Sequence, residues 1–165
     1  MERISRQHML MNMAEVSAMR STCFRGNTGA IIAINSRPIS MGYNGPPSGE
    51  PHCQGNNCQL TKDGGCRRSD HAEANAIKFV REFYKLKGMA EDVFIKSQLY
   101  STSFPCPVCV SIIVNAKIPK VFYRYPYRDQ SGLDYLLLQS EVYRITPSGF
   151  IIKEPDNIII DSELC

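Results

Sequence analysis

Two short motifs in this 165-residue sequence carry side chains able to hold a metal ion and move protons. One is His71-Ala72-Glu73, and the other is Pro105-Cys106-Pro107-Val108-Cys109. Residues three apart share a helix face, whereas residues two apart do not. Cys106 and Cys109 therefore project together if a helix opens at Pro107, and proline is favoured at a first helical position. The positive end of that helix stabilises both thiolates. His71, opening another helix, supplies a third ligand across the gap. Three protein ligands leave a fourth tetrahedral position for water, the arrangement of a catalytic zinc rather than a structural one. Zinc lowers the pKa of water to about 7 and so supplies a nucleophile near neutral pH. A hydrolysis that expels ammonia also needs a proton carrier beside the metal but not bound to it. Glu73 is predicted to be that group.

Each motif alone admits a plainer role. Asp70 and Glu73 have the spacing of a helix cap followed by a carboxylate three residues on. His71 alone reads as an ordinary histidine, and a lone C-x-x-C as a redox pair or part of a structural zinc site. Together, in this order and each at a predicted helix start, they match the H-x-E…P-C-x-x-C signature of zinc deaminases.

The elements that must position these motifs follow from periodicity. Met9, Met13 and Val16, with Leu10 and Ala14 beside them, predict an amphipathic helix ending near Arg20, its methionines packed in the core. Gly29–Ile34 predicts a buried strand, residues 35–38 a turn and residues 39–43 a second strand. Residues 44–70 have no period and are rich in Gly, Pro, Asn and Cys, so a functional or stapled loop is expected. A helix follows Asp70, with Ala76, Ile77, Val80, Phe83 and Tyr84 on one face and Gly88 as its stop. Residues 93–100 predict a third strand, 108–115 a short helix, 120–123 a fourth strand, 131–140 a helix and 142–145 a fifth strand. The tail, residues 147–165, carries apolar runs at 150–152 and Ile158–Ile160, suited to an edge strand or an oligomer contact. Strands alternating with helices predict an α/β fold, a three-layer α/β/α sandwich around a mixed five-stranded sheet, in one domain. If the second and third strands run parallel, right-handed crossovers bring the N-termini of the two following helices to one sheet edge. Both motifs begin those helices, and ligands bind at that edge in such sheets.

Composition bounds the partners. A formal charge of +3 gives no support to nucleic-acid binding. No apolar run approaches the ~20 residues of a membrane span. Glu2 and Arg3 after Met1 do not open a secretory signal. A soluble, cytoplasmic protein is expected, and in a reducing compartment its seven cysteines favour metal over disulfides.

Four stretches resemble the deoxycytidylate (dCMP) deaminase family of the cytidine deaminase superfamily: Arg20-Ser21-Thr22-Cys23, Gly42-Tyr43-Asn44-Gly45, residues 71–77 (HAEANAI) and residues 105–109 (PCPVC). The resemblance covers roughly residues 5–146. It implies a cytidine deaminase-like fold and hydrolysis of dCMP to dUMP and ammonia in pyrimidine deoxynucleotide metabolism. Glu73 would shuttle protons, the Ala72 N–H would meet the base carbonyl and Asn44 the deoxyribose. Arg25, Tyr127 and Arg128 are candidates for the phosphate; Arg25 and Arg128 read equally as solvated surface charges. The family also implies a homohexamer activated by dCTP and inhibited by dTTP, with Gly42, Tyr43, Asn44 and Gly45 at the regulatory site. Gly42 and Gly45 read equally as turn residues. Some relatives carry a basic residue eleven places after the zinc histidine, where this sequence has Glu82. Other readings are a deaminase of free cytidine, guanine or transfer-RNA adenosine, or a competence-type zinc protein.

Cys23, Cys53, Cys58 and Cys66 remain, with Cys165 at the end. Four thiolates close a structural zinc site, and bacterial-type relatives have a similar loop. Here it reads Pro51-His52-Cys53, Cys58 and Cys66, with His52 an alternative ligand. A second zinc there would staple the 44–70 loop to the end of the first helix.

Overall fold

A computed structural model describes residues 3–54, 57–62, 65–85 and 90–160. The predicted Gly88 helix stop and Cys165 lie outside them. The chain runs α1 (Arg6–Ala18), β1 (Gly29–Ile34), β2 (Arg37–Tyr43), α2 (Ala72–Lys85), α3 (Ala90–Phe94), β3 (Gln98–Ser103), α4 (Pro107–Ala116), β4 (Lys120–Tyr125), α5 (Leu133–Leu137), β5 (Glu141–Ile145), β6 (Ile151–Lys153) and β7 (Ile158–Ile160). The strands form one mixed sheet in the order β2-β1-β3-β4-β5-β6-β7. The three-layer α/β fold is as expected, but the sheet has seven strands and not five. Both apolar runs of the tail pair in register as an antiparallel hairpin, β6 against β5 and β7 against β6.

β1 is antiparallel to both β2 and β3, so β2 and β3 point the same way. β3, β4 and β5 are parallel. The helices that follow β2 and β3 therefore start at the same sheet edge. Alternation along each strand divides two cores. Ala30, Ile32, Leu99, Val121 and Val142 pack under the layer of α2, α4 and α5. Ile31, Ala33, Tyr100, Phe122 and Tyr143 pack under α1.

Several boundaries differ from those predicted. α1 buries Leu10, Met11, Ala14, Ser17 and Ala18, whereas Met9 and Val16 are exposed. The burying stripe is thus one residue out of phase with the Met9–Met13–Val16 face, because its small and polar members, Ala14, Ser17 and Ala18, give little apolar signal. Those small side chains suit a close contact: a Cβ on Gly29 would sit 2.0 Å from the Ala14 carbonyl oxygen. Val93 and Phe94 belong to α3 and are buried there, so the third strand starts only at Gln98. The helix expected over 131–140 shrinks to five residues, with Leu136 its buried anchor. Phe83 on α2 is half-exposed and stacks on Phe79. Among the described residues, no helix is long and apolar enough to cross a membrane.

Candidate active site

α4 begins as its sequence requires, with Cys106 at the N-cap and Pro107 at the first helical position. Cys109 thus falls in the first turn beside Cys106. His71 stands one residue before α2, its carbonyl accepting from the Asn75 N–H at 2.9 Å. Just upstream, Gly45 and Asp70 exchange both backbone hydrogen bonds, at 2.8 and 3.1 Å, and this closes the 44–70 loop at its base. The loop therefore delivers His71 to the sheet edge in a fixed register with the end of β2.

There His71 Nδ1 lies 3.3 Å from Cys106 Sγ and 3.2 Å from Cys109 Sγ. All three ligand atoms fall within 4.8 Å of one another, the one His/Cys/Asp/Glu group among the described residues to do so. Tetrahedral zinc, with Zn–S near 2.3 Å and Zn–N near 2.0–2.1 Å, sets an N···S separation of roughly 3.5 Å. The donor set and its spacing fit zinc. The hydrogen bond from Cys109 holds the Cys106 thiol down at about 4, while the Cys109 thiol is pushed up. The hydrogen bond to Cys106 raises the His71 imidazole above its ordinary value, against the effect of burial.

Glu73 is buried, and burial pushes its carboxyl upward, with His71 opposing. Its Oε2 accepts from Cys109 Sγ at 3.5 Å and its Oε1 from the Ser101 hydroxyl at 3.1 Å. The alternative cap with Asp70 is not its occupation: Glu73 turns inward to the ligand cluster. A carboxylate so placed can exchange protons with whatever occupies the space beside the cluster.

That space is a cavity of about 460 Å³. Arg25, Asn44, Ala72 and Tyr127 line it with His71, Glu73 and Cys106, as do Cys23 and Cys66. Arg128 is not among the lining residues; its guanidinium lies 5.8 Å from the Tyr127 ring centroid. The Asn44 side chain accepts from the Thr28 N–H at 2.8 Å and donates to the Gly26 carbonyl at 2.9 Å, so it shapes the 26–28 wall. Gly42 packs against α2, where a Cβ would sit 2.2 Å from the Ala72 carbonyl oxygen. A larger cavity of about 700 Å³ between α2, α3 and α4, which Glu82 and Arg81 help line, holds no histidine or cysteine.

Sequence reasoning missed Asn27, Thr28, Ser103 and Phe104 in the cavity wall, and Ser101 behind Glu73. The run Ser101-Thr102-Ser103 was the available signal, since three hydroxyls in a buried strand must each find a partner. In the loop, Cys58 and Cys66 are hydrogen-bonded neighbours, with Cys23 and Cys53 near enough to act on Cys58. No three of these four sulfurs draw as close as the His71 cluster. His52 Nδ1 is 3.5 Å from the Thr22 hydroxyl. Arg68 braces the loop by its bond to the Pro51 carbonyl.

Residues 4–125 match the family described as the cytidine and deoxycytidylate deaminase zinc-binding region. The chain belongs to this family. Among relatives in the family, ComE operon protein 2 of Bacillus subtilis is 37% identical over 142 residues, covering 86% of this chain and 71% of its own. The deoxycytidylate deaminase of Saccharomyces cerevisiae is 32% identical over 123 residues, which span 72% of this chain but 37% of the yeast protein. The crystal structure of dCMP deaminase from cyanophage S-TIM5, in complex with dCMP and dUMP, superposes with a TM-score of 0.64 at 36% identity. That match covers 81% of this chain and 92% of the phage chain.

Proposed function

We propose that this family member hydrolyses dCMP to dUMP and ammonia at the His71–Cys106–Cys109 site. The observation that carries the reading is the buried Glu73 carboxylate, turned to the ligand cluster and opening on a cavity lined by Arg25, Asn44 and Tyr127. Similarity to the S-TIM5 dCMP deaminase, over most of both chains, supports the choice of substrate. His71, Cys106 and Cys109 hold the zinc, which when bound supplies an acidified water near neutral pH. Glu73 takes a proton from the attacking water and delivers it to the ring nitrogen N3. It then carries the proton of the new C4 hydroxyl to the 4-amino group, so that the C4–N bond breaks, ammonia leaves and a C4 carbonyl remains. Ala72 opens α2, where first-turn N–H groups lack intrahelical acceptors and suit the base carbonyl. Asn44 meets the deoxyribose; Arg25 and Tyr127, which line the cavity, serve the phosphate, with Arg128 beside the Tyr127 ring.

The test is an assay of zinc-loaded protein against dCMP, dCTP, deoxycytidine and cytidine. Turnover of dCMP above the others is the expected result, and turnover of deoxycytidine with dCMP untouched overturns the assignment.

The finer features of the reading are a single cytoplasmic domain in pyrimidine deoxynucleotide metabolism, assembled as a homohexamer. dCTP activates it and dTTP inhibits it through Gly42, Tyr43, Asn44 and Gly45. Sedimentation and dCMP saturation curves with each effector test these features. A second zinc on Cys23, Cys53, Cys58 and Cys66 staples the loop. Metal analysis should give two zinc ions per chain, falling to one in Cys58→Ser; one per chain, unchanged by that substitution, refutes it.

A further inference from the structure

Ser101 sits in β3, fully buried, paired with Ala30 of β1 and Tyr123 of β4. Its neighbours fix its direction. Leu99 belongs to the core under α2 and α4, and Tyr100 to the core under α1. Alternation therefore turns Ser101 toward the α2–α4 layer. A hydroxyl buried in that layer is costly unless it is bonded. The Ser101 Oγ donates to Glu73 Oε1 at 3.1 Å. The following hydroxyl is used otherwise: Thr102 Oγ1 accepts from the Gly29 N–H at 3.1 Å, across the sheet.

The two oxygens of Glu73 thus have unlike surroundings. Oε1 is tied to a central strand, and Oε2 faces the ligand cluster at 3.5 Å from Cys109 Sγ. The terminal torsion of a glutamate is broad and roughly two-fold, so an unanchored carboxylate rotates freely about it. A hydrogen bond from a strand, the most rigid support available, removes that freedom.

We infer that Ser101 is the positioning residue for Glu73, anchoring Oε1 so that Oε2 is the oxygen that carries protons. The inference rests on the deaminase reading above. Oε2 accepts the proton of the attacking water and releases it to the substrate. The Ser101 hydroxyl keeps its own proton and its bond to Oε1 throughout.

The test compares zinc-loaded Ser101→Ala and Ser101→Thr with the parent protein. In Ser101→Ala, zinc content and the KM for dCMP should stay within about twofold while kcat falls about 10- to 100-fold, the range typical when an outer-shell partner is lost. Ser101→Thr keeps the hydroxyl and should recover most of that loss. Crystal structures read the same assignment without turnover. The Glu73 carboxylate should leave its position in Ser101→Ala and regain it in Ser101→Thr. Unchanged kcat, loss of zinc, a KM change as large as the kcat change, or an unmoved carboxylate in Ser101→Ala each overturns the assignment. Where the added methyl keeps Ser101→Thr from folding, kcat and the carboxylate position in Ser101→Ala decide. If the parent protein deaminates no cytosine nucleotide, the functional reading falls. The carboxylate position in Ser101→Ala then still decides the role of Ser101.

Discussion

Glu73 combines two features that oppose each other in an ordinary carboxylate: it is buried, and it stands beside thiol sulfur. Burial favours its protonated form and pushes the carboxyl upward, while a backbone hydrogen bond and the His71 imidazole favour the ionised one. The proposed shuttle role needs such a group, one that accepts and then releases a proton. Glu73→Gln keeps the shape and the Ser101 bond but cannot carry a proton. It should retain zinc and bind dCMP while turnover falls about 10²–10⁴-fold, as read by metal analysis, equilibrium binding and initial rates. Near-normal rates in that variant exclude the shuttle role. Cys106→Ser and Cys109→Ser should each lose the catalytic zinc, because a neutral hydroxyl is a poor substitute for thiolate at such a site. Chelation of the parent protein should abolish turnover, and added zinc should restore it. At this scale much was legible, since His71, Glu73, Cys106 and Cys109 are read from type and spacing alone. Ser101 was legible only in part: the hydroxyl run at 101–103 signals that partners are needed, but that the partner of Ser101 is Glu73 is set by the tertiary fold.

Two glycines show how the elements hold that constellation together. Gly29 lets α1 lie on β1, and Gly42 lets α2 lie on β2. A Cβ at Gly42 would meet the Ala72 carbonyl oxygen at 2.2 Å and the Ala76 nitrogen at 2.7 Å, both backbone atoms. Gly42→Ala must therefore push the first turn of α2 away from the sheet, carrying His71 and Glu73 with it. It should cost about 1–3 kcal/mol in denaturant unfolding, the usual range for overpacking, and also weaken zinc retention. Gly29→Ala should show a similar stability loss with zinc retained, because its clash is with Ala14 and Ala18 of α1. Equal zinc loss in both variants would refute this separation. Element starts marked by Pro107 or by the apolar run Gly29–Ile34 were readable from sequence. The phase of α1 and the short α3 were not, since Ala14, Ser17, Val93 and Phe94 are buried by neighbours that local periodicity does not reveal.

Across the whole molecule, the β6–β7 hairpin extends the sheet and is anchored to its middle. The Tyr123 hydroxyl donates to Glu154 Oε1 at 2.6 Å, and Arg144 Nε lies 3.9 Å from the same oxygen. Tyr123 also meets Phe104 of the cavity wall edge-on, with ring centroids 5.2 Å apart. Burial, and then the bond to Glu154, raise the Tyr123 phenol above its ordinary value. The unfolded phenol ionises near pH 10, so above that pH the folded state holds more protons than the unfolded one. The contribution is therefore complete below about pH 10 and is lost as pH rises toward the folded value. Urea unfolding between about pH 8 and 11 should show this alkaline decline, and Tyr123→Phe should flatten it. An unaltered decline in that variant assigns it to other groups. The sequence by itself determined the candidate chemistry: the ligand types, the proposed proton carrier and the helix starts that present them, all within a few residues of one another. Tertiary structure alone decided that these meet. His71 and Cys106 are 35 residues apart, and they converge because β2 and β3 point the same way across β1. It also decided that Ser101 backs Glu73, that Asn44 shapes the cavity wall and that the tail completes a seven-stranded sheet. Strand order and direction are set by the burial of two whole sheet faces, a property that no local stretch of residues contains.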